Sequence, residues 1–180
     1  QHVQLHTRCI ESIRHSLESD RLGLVSEVRV GLNRVHPMAE RIAAELAQSS
    51  GRRVIAYKPD WPPAPSPAYK YPLMRKMIYD SQYPQREFAA WMDDDSFLIR
   101  TPRWWESMLE RFAEYDVLGY LRRKTLNGRQ AVWLPRQPWF NPAAGVLAGE
   151  NQVVFPQGSL FAWRTAALAG FNWPWPELRH

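Results

Sequence analysis

The chain has 180 residues, of which 45% are apolar and 23% are charged, and these values exclude a fibrous protein and wholesale disorder. Its 23 Lys and Arg residues against 18 Asp and Glu give a net charge of +5, which favours phosphate-bearing partners without requiring them. A single cysteine, Cys9, excludes an internal disulfide and a cysteine-based zinc cluster. No stretch approaches the roughly 18 consecutive apolar residues of a membrane span. We therefore expect one cytoplasmic domain over residues 1–180, with no membrane span.

The first part of the chain alternates helical and extended patterns. Apolar residues at four-residue spacing predict an amphipathic helix over 5–17. A valine-rich strand is predicted over 24–30. Pro37 then opens a second helix, and Gly51 lies just past its end, where a left-handed cap is needed. A second strand is predicted over 53–57.

A proline-rich segment separates these elements from the middle of the chain. Five prolines over 59–67 predict an extended surface loop, because each one removes a backbone donor. Pro72 suits the first turn of a third helix. The apolar run 88–92 predicts a buried strand of the parallel type. Thr101 and Pro102 predict the N-cap and first residue of a fourth helix.

The last third of the chain is rich in strand patterns. Strands are predicted over 117–121, 131–134, 152–155 and 159–163, followed by a short helix from Thr165. Because strands and helices alternate before this region, the sequence predicts an α/β fold with a mostly parallel central sheet flanked by helices. Ligands of such sheets bind at the carboxyl ends of the strands.

Three acidic residues, Asp93, Asp94 and Asp95, directly follow the predicted strand 88–92. Adjacent carboxylates repel each other, and a hard divalent cation that neutralises them is the usual reason to tolerate them at a strand end. In an extended segment Asp93 and Asp95 point to the same side, so they are predicted to hold one ion while Asp94 faces away. The alternative is a solvated turn with no ligand.

Two segments resemble the GT-A glycosyltransferases, particularly those of family 2. Residues 91–97, Trp-Met-Asp-Asp-Asp-Ser-Phe, look like the segment that carries the family's DxD motif. Residues 155–171 are similar to the family's later strand and the helix that ends in Gly-Gly-Phe. The helix over 5–17 and the strand over 27–32 resemble the family's opening. The resemblance covers nearly the whole chain in order.

The resemblance implies a GT-A fold with a nucleotide-sugar-binding half over 1–100 and a smaller, strand-rich acceptor half over 101–180. It also implies a UDP-sugar donor, a carbohydrate or other hydroxyl acceptor, inversion at the transferred sugar, and Mn²⁺ or Mg²⁺ held by Asp93 and Asp95. The residues that it implies for the nucleotide sugar are Asn33, Lys70, Arg75, Lys76, Asp93, Asp94 and Gly158. The plainer alternatives are a turn residue at Asn33, a solvated basic face at Arg75 and Lys76, and an ordinary tight turn at Gly158.

Tryptophans of the C-terminal half are candidates for stacking against the acceptor sugar, since the CH faces of a pyranose pack on flat rings. They are Trp133, Trp139, Trp163, Trp173 and Trp175. We expect only one or two of them to contact an acceptor and the others to be core or loop anchors.

The family pattern also includes a strand before the first helix, whereas this sequence starts almost at the helix. The pattern has an acidic general base beyond the Gly-Phe pair, and here only one acid follows that pair. Glu177 is the candidate base, and its alternative is a surface carboxylate. We therefore expect a minimal or truncated glycosyltransferase. A second hypothesis is a non-catalytic nucleotide- or carbohydrate-binding domain of the same fold. A third, a nucleic-acid binder or enzyme, is disfavoured because the basic residues are scattered along the chain.

Overall fold

The computed structural model describes residues 2–32, 37–60, 70–98, 104–136 and 152–170, which form a mixed α/β fold. The helices in these ranges are α1 His2–Ser19, α2 Pro37–Ser50, α3 Lys70–Tyr79, α4 Trp104–Arg111, α5 Gly128–Trp133 and α6 Thr165–Ala169. The strands are β1 Glu27–Gly31, β2 Arg53–Tyr57, β3 Phe88–Met92, β4 Val117–Thr125 and β5 Gln152–Arg164. None of the helices in these ranges has the length and apolarity that crossing a membrane requires.

The N-terminal helices are amphipathic, as the sequence predicts. Cys9 and Leu17 of α1 are buried, and α1 packs against α2, whose Leu46 is buried almost completely. Gly51 follows α2 with a φ of +63°, so the predicted left-handed cap is confirmed. These two helices lie beside a parallel pair of strands, in which β1 pairs with β2 from Glu27 opposite Arg53.

The remaining strands form an antiparallel sheet with the order β3-β5-β4. The prediction that β3 is a strand of the parallel type is therefore wrong, because its hydrogen-bonded neighbour β5 runs in the opposite direction. The apolar run of β3 has a different cause: most of the strand is half-buried, with β5 on one side and a cleft on the other. Among the described residues the parallel pairing is limited to β1 and β2.

The end of β5 is fixed by hydrogen bonds to three other segments. The Thr165 amide donates to the Glu87 carbonyl at 2.9 Å, and the Tyr79 hydroxyl donates to the Thr165 carbonyl at 2.8 Å. The Arg164 guanidinium donates to the Phe112 carbonyl at 2.8 Å. Thr165 is itself buried. These bonds hold α3, the start of β3 and the end of α4 against β5, and so set the register of the sheet.

One other prediction for the last third is wrong, and two predicted strands are parts of one longer strand. Residues 131–134 do not form a strand: Asn127 and Gln130 form a capping box, which starts α5 at Gly128. The two strands predicted over 152–155 and 159–163 form the single strand β5. The short helix from Thr165 is confirmed. The proline-rich segment from residue 61 and the predicted cap at 101–102 lie outside the described residues.

Candidate functional site

A cleft of about 880 Å³ lies between β1 and β3. Its walls are mostly apolar, and side chains from α1, α3 and α4, such as Ile13, Met77 and Trp104, contribute to them. Arg86, just before β3, donates a 3.0 Å hydrogen bond to Glu27, the first residue of β1. Both strands therefore start at the same end of the cleft, and the acidic residues that follow β3 lie at the other end.

Asp93 is the best-anchored member of the acidic segment. Lys70 Nζ lies 2.7 Å from both of its carboxylate oxygens, and Trp91 Nε1 donates to it at 2.7 Å. The Asp93 carbonyl accepts a hydrogen bond from the Ser96 amide at 3.0 Å, which closes a turn around Asp94 and Asp95. The segment is thus a turn and not an extended strand. The prediction that Asp93 and Asp95 point to the same side assumed an extended strand, so it does not apply here.

Helix α1 supplies two contacts to this turn that the sequence analysis missed. His6 Nε2 lies 2.8 Å from an Asp94 carboxylate oxygen. The Cys9 thiol donates to the Asp93 carbonyl at 3.6 Å. Residues three apart on a helix lie on one face, so a histidine one turn before a buried cysteine is the sequence signal for this contact. Burial, followed by the negative charges of the aspartates, raises the pKa of Cys9 to about 12.

We expect Cys9 to resist alkylation in the folded protein, because the thiolate is the nucleophile and a pKa near 12 leaves very little of it at pH 8. Iodoacetamide should label the urea-unfolded chain at least about tenfold faster than the folded chain at that pH. Mass spectrometry of timed samples measures both rates. Equal rates would contradict the buried position of the thiol.

The acidic turn was tested for its fit to a metal ion. In the described part of the chain, no three His, Cys, Asp or Glu side chains converge on one point as a metal site. Asp95 is exposed and borders the cleft, whereas Asp93 is held by Lys70. Mg²⁺ commonly binds one or two carboxylates together with substrate phosphates. The donor atoms therefore fit a hard cation that arrives with a diphosphate, and they do not form a preformed cage.

Only one of the three predicted cations of α3 reaches the cleft. Lys70 lines it beside Asp93, while Arg75 and Lys76 do not belong to its walls. Lys76 donates to Asp60 at 3.1 Å, and this hydrogen bond raises the pKa of Lys76. The two side chains point elsewhere because they do not share the helical face of Lys70.

The pairing of β3 with β5 brings Gly158 close to the point where β3 ends and the acidic turn begins. Met92 pairs with Leu160, so Asp93 lies one residue beyond this pair and Gly158 two residues beyond it on the other strand. Gly158 lies within β5, so the plainer alternative of a tight turn before a strand does not apply. Trp163 is fully buried and belongs to the core, whereas Trp133 is partly exposed. The predicted site residues outside the described residues are Asn33, Trp139, Trp173, Trp175 and Glu177.

At the opposite end of the cleft, three arginines surround the buried carboxylate of Glu27. Arg29 donates to it at 2.6 Å and Arg86 at 3.0 Å, and Arg53 lies 3.7 Å away. Burial alone would raise the pKa of Glu27, but the hydrogen bonds from Arg86 and Arg29 outweigh it and lower the pKa. The sequence analysis missed this cluster; its local signal is that Glu27 and Arg29 share one face of β1.

Comparisons of the chain with protein-family models, with curated proteins and with solved structures found no match.

Proposed function

We propose that the chain is a metal-dependent glycosyltransferase that moves a sugar from a nucleotide diphosphate, a UDP-sugar, to an acceptor hydroxyl. One observation carries the proposal: β3 and β5 pair so that the segment around Gly158 lies next to the point where β3 ends and the acidic turn begins, and this turn borders a large cleft. These are the two segments that resemble the glycosyltransferase motifs. They are far apart in sequence, and their proximity is what a shared donor site requires.

The chemistry of the described residues suits a diphosphate. Asp95, and Asp93 after exchange of its Lys70 partner, would hold Mn²⁺ or Mg²⁺, which when bound supplies positive charge to the diphosphate oxygens. Lys70, displaced from Asp93 by the ion, would bring a second positive charge to the diphosphate. The apolar cleft wall excludes water from the donor, which strengthens these electrostatic contacts. Glu177 remains the proposed base for the acceptor hydroxyl.

The arrangement of strands favours a GT-A-like fold as part of the same proposal. β1 and β3 both line the cleft and start at the same end of it, with the acidic turn at the carboxyl end of β3. In α/β proteins ligands bind at that end of the strands. The described residues form no ladder between β1 and β3, so a continuous parallel sheet is a proposal and not an observation.

Titration calorimetry with UDP tests the proposed donor site. We expect UDP to bind in the presence of Mn²⁺ and to bind at least about tenfold more weakly without the ion. Asp95→Asn and Asp93→Asn should each abolish the effect of Mn²⁺, because each removes a carboxylate charge. Asp60→Asn is the matched control, since Asp60 is an exposed aspartate on the far side of α3 from Lys70. Absence of UDP binding with Mn²⁺ would overturn the proposal.

Turnover separates the enzyme from a non-catalytic nucleotide- or carbohydrate-binding domain. If the chain is an enzyme, it hydrolyses a UDP-sugar slowly without an acceptor, and Glu177→Gln lowers the rate of transfer more than the affinity for UDP. UDP binding without release of UDP from any UDP-sugar would instead support the binding domain.

A further inference from the structure

The positive charge of the chain is concentrated in one short segment. Residues 117–136 contain no acidic residue, and their basic residues are Arg122, Arg123, Lys124, Arg129 and Arg136. The other 18 basic residues of the chain balance its 18 acidic residues, so this segment carries the entire net charge of +5. The other basic residues are scattered along the chain, as the argument against a nucleic-acid binder has it, but this segment is an exception.

The structure presents this charge on a two-stranded ribbon. The outer part of β4, from Leu121 to Thr125, pairs with β5 over Gln152 to Pro156, whereas β3 pairs only with Leu160 to Arg164. Beyond β3, the described residues give the sheet two strands. Successive side chains of a strand point to opposite faces, so Arg122, Arg123 and Lys124 place cations on both faces of the ribbon.

Helix α5 extends the same surface. It begins three residues after β4 ends, carries Arg129, and is followed by a helical turn that ends at Arg136. All five cations are exposed. Among the described residues none of the five takes part in an ion pair, whereas Arg14, Arg52 and Arg164 elsewhere do.

Exposed aromatic and apolar side chains accompany the cations. Tyr120 is 73% exposed on β4, and Val132 and Trp133 are exposed on α5. A surface that offers both cations and exposed rings suits a ligand that has both negative charges and flat apolar faces. We name the surface made by residues 120–124 and 129–136 the basic ribbon.

We infer that the basic ribbon binds an anionic carbohydrate chain, that is, a glycan that carries carboxylate or sulfate groups. Sugar rings offer CH faces to Tyr120 and Trp133, and spaced acidic groups suit the spaced guanidinium groups, which bind carboxylates and sulfates in a bidentate manner. The choice of a glycan over another polyanion, and its role as the acceptor, rest on the proposed function. The existence of a surface that binds polyanions does not rest on the proposed function.

The test measures binding of the whole chain to three polysaccharides without UDP or metal: alginate, which is a polyuronate, heparin, which is sulfated, and neutral dextran. We expect binding to alginate or heparin that weakens as salt is raised, and no binding to dextran. The variant Arg122→Gln/Arg123→Gln/Lys124→Gln should bind at least about tenfold more weakly. The control variant Arg21→Gln/Arg41→Gln/Lys58→Gln removes the same charge from exposed positions elsewhere and should change the affinity by less than about threefold. Circular dichroism spectra of the two variants should match that of the wild type, which checks that both variants fold.

Three results would overturn the inference. Equal weakening by the two triple variants would mean that net charge alone attracts the polymer. Tighter binding to a single-stranded oligonucleotide than to either acidic glycan, with loss in the ribbon variant, would assign the surface to nucleic acid. Absence of binding to alginate and heparin would remove the site. If glycan binding persists while UDP with Mn²⁺ does not bind, the surface stands and only the acceptor role falls.

Discussion

Glu27→Gln is expected to lower the free energy of unfolding by about 3–5 kcal/mol, the usual cost of breaking a buried ion pair from one side. The Glu27 side chain is only 4% exposed, and it is the shared acceptor of Arg29 and Arg86. An amide is neutral and has only one acceptor oxygen, so it leaves two guanidinium groups without a compensating charge. Urea unfolding followed by circular dichroism measures the change. The slope of the unfolding free energy against urea concentration should be the same in the variant and the wild type.

Glu40→Gln provides the matched control. Glu40 is an exposed glutamate 3.5 Å from Lys58, and exposed pairs of this kind contribute at most about 1 kcal/mol. If Glu27→Gln also lowered the free energy of unfolding by less than about 1 kcal/mol, the arginines would not need the charge of this carboxylate to stabilise the fold.

The same carboxylate makes stability depend on pH. The pKa of Glu27 in the folded protein lies below its ordinary value of 4.5, so the charged form stabilises the fold. This contribution is fully present above pH 4.5 and is lost as the pH falls through the folded pKa. The wild type should therefore lose stability below pH 4.5 more steeply than Glu27→Gln, in which this group no longer titrates.

Local patterns predicted most of the helices and strands. The four-residue spacing around Cys9 gave α1, and Gly51 marked the end of α2, because both signals depend on neighbouring residues. Strand direction was wrong for β3, since pairing with β5 depends on contacts far away in sequence, such as those of Thr165 with Glu87. At 131–134 the β-branched and aromatic side chains suggested a strand, but the capping box at Asn127 favours a helix.

The acidic turn was located from the sequence, and its environment was not. Trp91 and Asp93 are only two residues apart in the sequence. The hydrogen bond from the Trp91 indole to Asp93 nevertheless depends on the turn that Ser96 closes. The contacts of His6 and Lys70 require α1 and α3 to pack at the end of β3. The cluster at Glu27 joins segments on either side of the cleft, so no single window of sequence reveals it.

Trp163→Ala is the other change from which we expect a loss of about 3–5 kcal/mol, because it deletes a large buried ring and leaves a cavity. Trp163 is fully buried near the end of β5, the middle strand of its sheet, between Ala89 of β3 and Val117 of β4, and its ring stacks on Phe161 with centroids 5.1 Å apart. Unfolding in urea, followed by circular dichroism, measures the loss.

Trp133→Ala is the control for Trp163→Ala, since Trp133 is exposed and its removal should cost less than about 1 kcal/mol. Trp133→Ala and a milder core variant, Trp163→Phe, also separate the core from the proposed acceptor surface. Trp163→Phe keeps an apolar ring in the sheet and should retain glycan binding, whereas Trp133→Ala should weaken glycan binding without a comparable loss of stability. If Trp133→Ala were more destabilising than Trp163→Ala, the fully buried position of Trp163 would be contradicted.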